Sequence, residues 1–259
     1  MKTNDGPEPF AELERGVHAA LETYANVHRG SGHNSLVSTH LYEQARQILL
    51  EHLGLNKKKN AVIFCSPRRA EALKAQLEPG SYQSLSSQDI GLPLGVRALA
   101  VNRKALPKDA PLEAGGGTAR LVSPGWVIWA KAPDKFEAGT PAIVSVIAFA
   151  AALRLIRQYG NDAFRGALAE TPAFADKPAS AKQPAVAEIL YHDDLEEYSG
   201  RELLLALRKT LIGRGVSVPT AEGTRPFINL DNAASTPTFA PIWDALRSAP
   251  GYCWPGRGC

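Results

Sequence analysis

Three histidines near the start of the chain are the first side chains that could do chemistry. His28, His33 and His40 lack the tight helical spacing or the CxxC partner that a zinc site prefers, so we interpret them as loop histidines. The acidic run HDDLEE, which begins at His192, could bind a metal, but its place before a helix favours stabilisation of the helix N-terminus. The glycine turn at 115–117 lacks the GK[ST] ending of a phosphate-binding loop. These patterns predict no metal site.

The composition of the 259 residues excludes several classes of protein. Hydrophobic residues make up 44%, which is enough for a core and argues against disorder. A net charge of +3 is too small to indicate a nucleic-acid partner or an anionic membrane. Three cysteines exclude a disulfide scaffold, and the most apolar stretch, 142–153, is too short to span a bilayer. We therefore expect a cytoplasmic α/β protein.

Helices and short strands alternate along the first 160 residues. We predict helices at 8–24, from Ser38 to about Leu53, after Pro67, and from a Thr140 N-cap to Gly160. We predict strands at 61–65 and 96–101, and at 126–129, where WVIW should turn one tryptophan toward the core. The last of these helices is apolar on most faces, which predicts that it is buried.

The composition changes after residue 160. Residues 170–186 are rich in Ala and Pro and have no apolar periodicity, which predicts a linker. Ser199 and Glu202 have the spacing of a capping box at a helix start. FINL at 227–230 predicts a strand, and Pro241 opens one more helix. The last stretch contains two cysteines and is unlike an ordinary polar tail.

Three segments resemble the class V aminotransferase and cysteine desulfurase family of pyridoxal phosphate (PLP) enzymes. LDNAASTP at 230–237 resembles the strand and turn that open these enzymes, ANVHRG at 25–30 the loop that follows, and FEAGTP at 136–141 a late active-site segment. The resemblance covers roughly residues 20–160 and 226–246. It implies an α/β fold, a partial PLP-dependent transferase fold (fold type I, class V) that lacks most of the large cofactor-binding domain.

The order of these segments differs from the family pattern. In the family the LDNAA segment precedes the ANVHRG loop, whereas here it follows about 200 residues later. We therefore predict a shortened class V module at 1–160, a linker and helical segment at 161–225, the start of a second module at 226–246 and an aberrant tail at 247–259. A longer tandem protein is the expected parent, and a circular permutation is the alternative.

The residues that would hold the cofactor differ from the family pattern as well. In the family a lysine within a Ser-x-His-Lys stretch holds PLP as a Schiff base. The similar stretch that begins at Ser86 has Asp89 at the lysine position, and a carboxylate cannot form that bond. In the phosphate-binding turn, Arg68 and Arg69 could bind an anion or form a solvated helix start, which we favour. Cys65 ends a strand and is expected to pack rather than react.

The family residues that this chain retains suggest that it contributes to the active site of a partner. His28, Arg29 and Thr140 match positions that, in family dimers, reach toward the active site of the other subunit. The resemblance thus implies a fragment that is non-catalytic alone and completes the PLP site of a catalytic class V module in the same longer protein, or of a homodimer partner.

Two alternatives remain. The chain could be an active PLP-dependent transferase or desulfurase, or a structural module whose helix at 141–159 docks a catalytic protein. Because parts of the fold are missing, we also expect exposed apolar surface.

Overall fold

A computed structural model describes residues 9–28, 30–164, 197–228 and 238–248. The helices are α1 Pro9–Glu22, α2 His33–His52, α3 Pro67–Lys74, α4 Ile143–Tyr159, α5 Gly200–Lys209 and α6 Ala240–Ser248. The strands are β1 Asn60–Cys65, β2 Tyr82–Ser86, β3 Arg97–Asn102, β4 Ala119–Ser123, β5 Trp126–Trp129, β6 Ser217–Thr220 and β7 Gly223–Pro226. Short 3-10 helices lie at Ser87–Ile90 and Asp134–Phe136. The predicted α/β class is confirmed.

A three-stranded antiparallel sheet lies at the centre of the N-terminal part. β3 is the middle strand, with β1 and β2 on either side. Successive residues of β1 point to opposite faces: Val62 and Phe64 join one apolar cluster, whereas Ala61 and Ile63 join another. Both faces of the sheet are therefore covered.

Helices α1, α2 and α4 form the larger of the two layers on the sheet. α4 packs on both α1 and α2, and nine of its 17 residues are buried. The predicted burial of this helix is thus confirmed. Its apolar surface is covered by the chain's own helices, so it is not available for docking a catalytic protein, as one alternative required.

Two predicted helix starts are wrong. α2 begins at His33 rather than Ser38, so His33 and His40 lie on a helix and not in a loop. α4 begins at Ile143, and its N-cap position is Ala142, which makes no side-chain cap bond. Thr140 therefore does not cap the helix, although Gly160 ends it as predicted.

Helix α3 covers the other face of the sheet, and the remaining elements are two hairpins and two helices. β4 pairs with β5, but Trp126 is 52% exposed and Trp129 only half-buried, so neither tryptophan fills the core. The capping box is wrong too, because the Ser199 side chain makes no cap bond at the start of α5.

The predicted strand at 227–230 is absent at 227–228, and the hairpin β6–β7 ends just before it. The rest of that strand, the predicted linker, the whole LDNAASTP segment and the tail from residue 249 lie outside the described residues. Within the described ranges, no helix is both long and apolar enough to cross a membrane.

Candidate functional site

The loop at 23–30 is held by hydroxyl groups on the first turns of α2. Ser38 accepts a hydrogen bond from the Ala25 amide at 3.1 Å and donates one to the Thr23 carbonyl at 3.1 Å. Ser35 donates to the Asn26 carbonyl at 2.7 Å. Both serines lie within α2 and fix the backbone of the loop from there.

His28 lies at the tip of this loop in a left-handed backbone conformation. Its φ is 61°, which is uncommon for a residue with a Cβ atom. The His28 amide donates to the Thr39 hydroxyl at 3.0 Å, which helps to hold this conformation. The ring nitrogen Nε2 lies 3.3 Å from Oε1 of Glu43, and the ring contacts the Tyr42 ring edge-on. The imidazole is thereby oriented on α2.

A buried ion pair joins α2 to the FEAGTP segment. Nη1 and Nη2 of Arg46 donate to the two carboxylate oxygens of Glu137, each at 2.8 Å. Both side chains are only 6% exposed. This two-bond geometry fixes the orientation of both groups and gives strong, charge-assisted hydrogen bonds. Arg46 also donates Nε to Glu43 at 2.9 Å, so Glu43 connects His28 to the buried pair.

The same carboxylate ties the pair to the sheet. The Phe64 amide donates to Glu137 at 2.6 Å and the Tyr42 hydroxyl donates to it at 3.1 Å. Arg46 donates to the Val62 carbonyl at 2.6 Å, and its guanidinium stacks over the Tyr42 and Phe64 rings. Helix, strand and FEAGTP segment thus meet at one charge pair, which we call the Arg46–Glu137 network; its other members are His28, Tyr42, Glu43 and the backbone of β1.

The charged groups of this network stabilise one another in their ionised forms. Burial alone would lower the pKa of Arg46, but the adjacent Glu137 carboxylate raises it, so Arg46 stays charged. Burial would raise the pKa of Glu43, yet the bonds from His28 and Arg46 lower it to about 2. Burial and the Glu137 charge raise the pKa of Tyr42. The hydrogen bond to Glu43 raises the pKa of His28 against the effect of burial.

The three residues predicted to act toward a partner are placed differently. Thr140 follows Glu137 by three residues and its side chain is exposed. His28 is connected to Glu137 through Glu43 and Arg46, with its side chain 31% exposed. Arg29 lies outside the described residues. The network therefore joins the loop that carries His28 to the segment that carries Thr140.

Arg69 also holds the FEAGTP segment. Its Nη1 donates to the Ala138 carbonyl at 2.9 Å, and its Nη2 lies 2.5 Å from a Glu113 carboxylate oxygen. The Arg69 side chain is 40% exposed, as a solvated helix start requires, although its guanidinium is engaged in these two contacts. Arg68 is exposed, as that prediction required.

The Asp89 position is used for structure. The Ser86 amide donates to Oδ2 of Asp89 at 2.7 Å and the Gln88 amide donates to the Ser86 hydroxyl at 3.1 Å. Together they form the capping box of the 3-10 helix that follows β2. A carboxylate committed to a cap offers no amine to PLP, so this stretch does not fit the cofactor as the family lysine would.

Cys65 is half-buried at the end of β1. Burial raises the pKa of its thiol to about 12, so the thiol stays protonated near neutral pH. Its Sγ lies 3.7 Å from the Arg97 carbonyl. Both observations support packing over reactivity. Within the described ranges, no group of His, Cys, Asp and Glu could hold a metal ion.

Sequence reasoning missed the most buried part of the site. Tyr42 and Arg46 are one helical turn apart on α2, and an arginine on the buried face of a helix calls for a buried acid. Glu137 was read only as part of a motif. The spacing of Tyr42 and Arg46 indicates that a buried acid should exist, but no local pattern identifies Glu137 as that acid.

Comparisons with known proteins agree on one family. The aminotransferase class-V family model matches residues 82–177, a range that includes Asp89 and Thr140 but not His28. A probable cysteine desulfurase of Staphylococcus aureus (strain N315) is 39% identical over 82 residues, which are 32% of this chain and 20% of the relative. A probable cysteine desulfurase of Staphylococcus epidermidis is 36% identical over 92 residues, 36% of this chain and 22% of the relative. Over these segments the chain is similar to the class V aminotransferase and cysteine desulfurase family.

Two solved structures are also similar to this chain. The apo cysteine desulfurase of Thermococcus onnurineus is 17% identical, with a TM-score of 0.40, over 59% of this chain and 68% of that one. The cysteine desulfurase CsdA of Escherichia coli is 15% identical, with a TM-score of 0.42, over 60% and 68%. The chain spans about a fifth of the length of the curated relatives it matches.

Proposed function

We propose that this chain is a non-catalytic class V module that completes the PLP site of a catalytic class V module in trans. His28, Arg29 and Thr140 are the residues that we assign to the partner's cofactor. The catalytic module belongs either to the same longer protein or to a second subunit. On this proposal the chain contributes position and hydrogen bonding, and the partner contributes the lysine.

The observation that carries the proposal is the contrast between two parts of the site. The Asp89 carboxylate serves a helix cap, so the chain does not fit a cofactor of its own. The Arg46–Glu137 network is nevertheless intact, and it joins the loop of His28 to the segment of Thr140. The network fixes two exposed residues in a chain that has no lysine at the PLP-binding position. This arrangement supports a role for both residues at the PLP site of a neighbouring module.

The enzyme alternative makes a different prediction for the isolated chain. An active transferase or desulfurase would bind PLP alone and become covalently labelled at a lysine on borohydride reduction. We expect no such labelling, because the residue at the lysine position is Asp89. Labelling of a lysine within the chain would favour the enzyme alternative over our proposal.

The decisive experiment uses the chain together with its catalytic module. A catalytic class V module is recognised by a Ser-x-His-Lys stretch, whose lysine holds PLP. With the two parts expressed together, Thr140→Val should weaken PLP binding about tenfold, the effect of one hydrogen bond to a charged group. The absorbance of bound PLP during titration measures this affinity.

The matched control is Thr224→Val, the same change at an exposed threonine of β7. Thr224→Val should leave the affinity for PLP unchanged. If Thr140→Val and His28→Ala both bind PLP as tightly as the unmodified protein, the proposed role in trans is wrong.

A further inference from the structure

Basic side chains collect at the end of the sheet where β1 begins and β3 ends. Three segments meet there, at 56–60, 102–109 and 131–135. They contain eight of the 29 lysines and arginines of the chain but only two of its 26 acids. The net charge of +3 is therefore the sum of a concentrated positive region and a slightly negative remainder.

Hydrogen bonds hold these three segments side by side. The Arg103 amide donates to the Lys59 carbonyl at 2.9 Å, beside the end of the ladder between β1 and β3. Nζ of Lys135 donates to the carbonyl oxygens of Pro107 and Lys108, at 3.1 and 2.9 Å. Because Lys135 is buried, its charge serves these two carbonyls and joins the third segment to the second.

Asparagine side chains order the two turns that carry most of these charges. Oδ1 of Asn56 accepts a hydrogen bond from the Lys58 amide at 2.8 Å, and Oδ1 of Asn102 accepts one from the Lys104 amide at 3.0 Å. An asparagine bonded to the amide two residues further on stabilises a tight turn. The lysines therefore project from an ordered backbone, so binding of a partner costs little backbone entropy.

Seven of the eight cations are exposed to solvent. We call this set the basic patch, and its members are Lys57, Lys58, Lys59, Arg103, Lys104, Lys108 and Lys131. None of the seven forms an ion pair with another residue that the structure describes, whereas Arg69 and Arg157 elsewhere each contact a carboxylate. Asp109 and the half-buried Asp134 are the acids of the three segments. The basic patch thus keeps a large positive excess.

The composition of the basic patch discriminates between classes of anionic partner. Six of its seven members are lysines, and the three segments expose no aromatic or large aliphatic side chain. Protein interfaces are poor in lysine and rich in aromatic residues, and membrane-binding surfaces add apolar side chains that enter the lipid. Single-stranded nucleic acids need aromatic side chains on which their bases stack. The phosphates of a duplex require positive charge alone, which the basic patch supplies.

We propose that the basic patch binds a double-stranded nucleic acid through its phosphates. All seven side chains come from turns or connecting segments, and none comes from a helix or strand that could enter a groove. Binding is therefore independent of base sequence. A duplex carries one phosphate per ~1.7 Å of its axis, so several of the seven side chains find a phosphate at the same time. The proposal uses none of the residues assigned to PLP, and either proposal can fail without the other.

The salt dependence of binding counts the phosphates that the chain neutralises. With the whole chain and a fluorescent DNA duplex of about 20 base pairs, fluorescence anisotropy should show saturable binding at about 50 mM salt. If about four of the seven side chains reach phosphates together, the affinity should fall roughly 150-fold between about 50 and 200 mM salt. A duplex of unrelated sequence should bind equally. Absence of binding at the lower salt concentration, or a fall of less than about fivefold, contradicts the proposal.

Two matched double variants locate the binding surface. Arg103→Gln with Lys104→Gln removes an adjacent arginine and lysine from the basic patch, and Arg208→Gln with Lys209→Gln removes the same exposed pair of residue types from the end of α5. The first variant should weaken binding at least tenfold and reduce the slope of log affinity against log salt by about two. The second variant should bind as the unmodified chain does. Equal affinities of the two variants overturn the assignment.

A variant of the neighbouring turn guards against a structural effect of removing Arg103, whose Nη1 lies 3.4 Å from the Ala132 carbonyl. Lys57→Gln with Lys58→Gln leaves the bond from the residue 58 amide to Asn56 in place, because that bond uses the backbone. This variant should show the same loss of affinity with an unchanged urea midpoint. Full affinity for the duplex in this variant contradicts the proposal.

Other polyanions test the class of partner. Polyglutamate of about 20 residues, single-stranded DNA of the same length as the duplex and phosphatidylserine vesicles should each bind at least tenfold more weakly than the duplex. Polyglutamate that binds as tightly as the duplex would indicate an acidic protein partner instead. Equally tight binding of the single strand or of the vesicles would likewise overturn the assignment to a duplex.

Discussion

The N-terminal body, residues 9–164, and the C-terminal elements, residues 197–228 and 238–248, use the same kinds of helix and hairpin with different results. In the body, α4 buries nine of its residues and the sheet is covered on both faces. In α5, by contrast, none of the residues is buried, and Leu204 and Leu205 are exposed. Local patterning therefore forms a helix in both regions, but only the body supplies surfaces that cover it.

The two regions meet at a few points on α1. Gly213 lies so close to the Glu22 carbonyl that a Cβ atom at this position would collide with it. The ring of Trp243 contacts the ring of His18, and Trp243 packs partly on the larger apolar cluster. The Arg46–Glu137 network has no counterpart among the described residues of the C-terminal elements, where the Arg225–Glu222 pair is exposed. We therefore predict that substitutions in the N-terminal body destabilise the whole fold, whereas substitutions in the C-terminal elements have local effects.

The largest effect is expected for Glu137→Ala. This change leaves the Arg46 charge buried without its partner and removes the acceptor of the Phe64 amide. We expect a loss of ~3–5 kcal/mol in the free energy of unfolding, measured by urea denaturation. Glu222→Ala, in the exposed pair of the C-terminal elements, should change it by less than about 0.5 kcal/mol. Similar losses of unfolding free energy in the two variants would contradict the predicted difference between the body and the C-terminal elements.

An intermediate effect is expected for Gly213→Ala. Its φ of 84° is unfavourable for alanine by ~1–2 kcal/mol, and the new methyl group meets the Glu22 carbonyl. The C-terminal elements should separate from α1 and become more sensitive to limited proteolysis, while the urea midpoint of the body is retained. Gly223→Ala is the control, because its φ is also positive but a Cβ there meets open space. Equal proteolysis of both variants would show that backbone strain, and not the contact with α1, is responsible.

The smallest effect concerns pH and the loop of His28. The pKa of His28 in the folded chain is raised above 6.5. The bond to Glu43 therefore stabilises the loop fully below pH 6.5, and this stabilisation is lost as the pH rises through the pKa of His28 in the folded chain. The pKa of Glu43 is lowered from 4.5 to about 2, so its contribution is present above 4.5 and is lost as pH falls through about 2. The loop should be best ordered between about pH 4.5 and 6.5, with Asp134, Arg46 and Tyr42 as the other groups that act on this pair.

Hydrogen exchange of residues 24–30 across this range measures the effect. His28→Gln should remove the loss of order at high pH, at a cost below about 1 kcal/mol because the histidine is partly exposed. His18→Gln changes a histidine outside the network and should leave the profile of the loop unchanged. A loop whose exchange depends on pH equally in His28→Gln and in the unmodified chain would contradict this assignment.

The sequence predicted the elements whose signal is local. The periodicity of residues 8–24, the apolar run at 61–65 and the helix stop at Gly160 all correspond to observed features, because each depends on neighbours within a few residues. The starts of α2 and α4 were misjudged because Ser38 serves the preceding loop and Thr140 makes no cap. The Arg46–Glu137 network could not be predicted, since its partners are far apart in sequence and only the packed sheet brings them together.

That separation has a consequence for synthesis of the chain. The Glu137 carboxylate binds groups that precede it by 73 to 95 residues. At a translation rate of about 5–20 residues per second, Arg46 leaves the ribosome roughly 5–20 seconds before its counterion does. Until then, burying α2 on the sheet would leave the buried Arg46 charge with only the partly exposed Glu43 as a counterion, which costs stability. The nascent chain therefore cannot complete its core early, and α2 and β1 remain open to chaperones until the FEAGTP segment emerges.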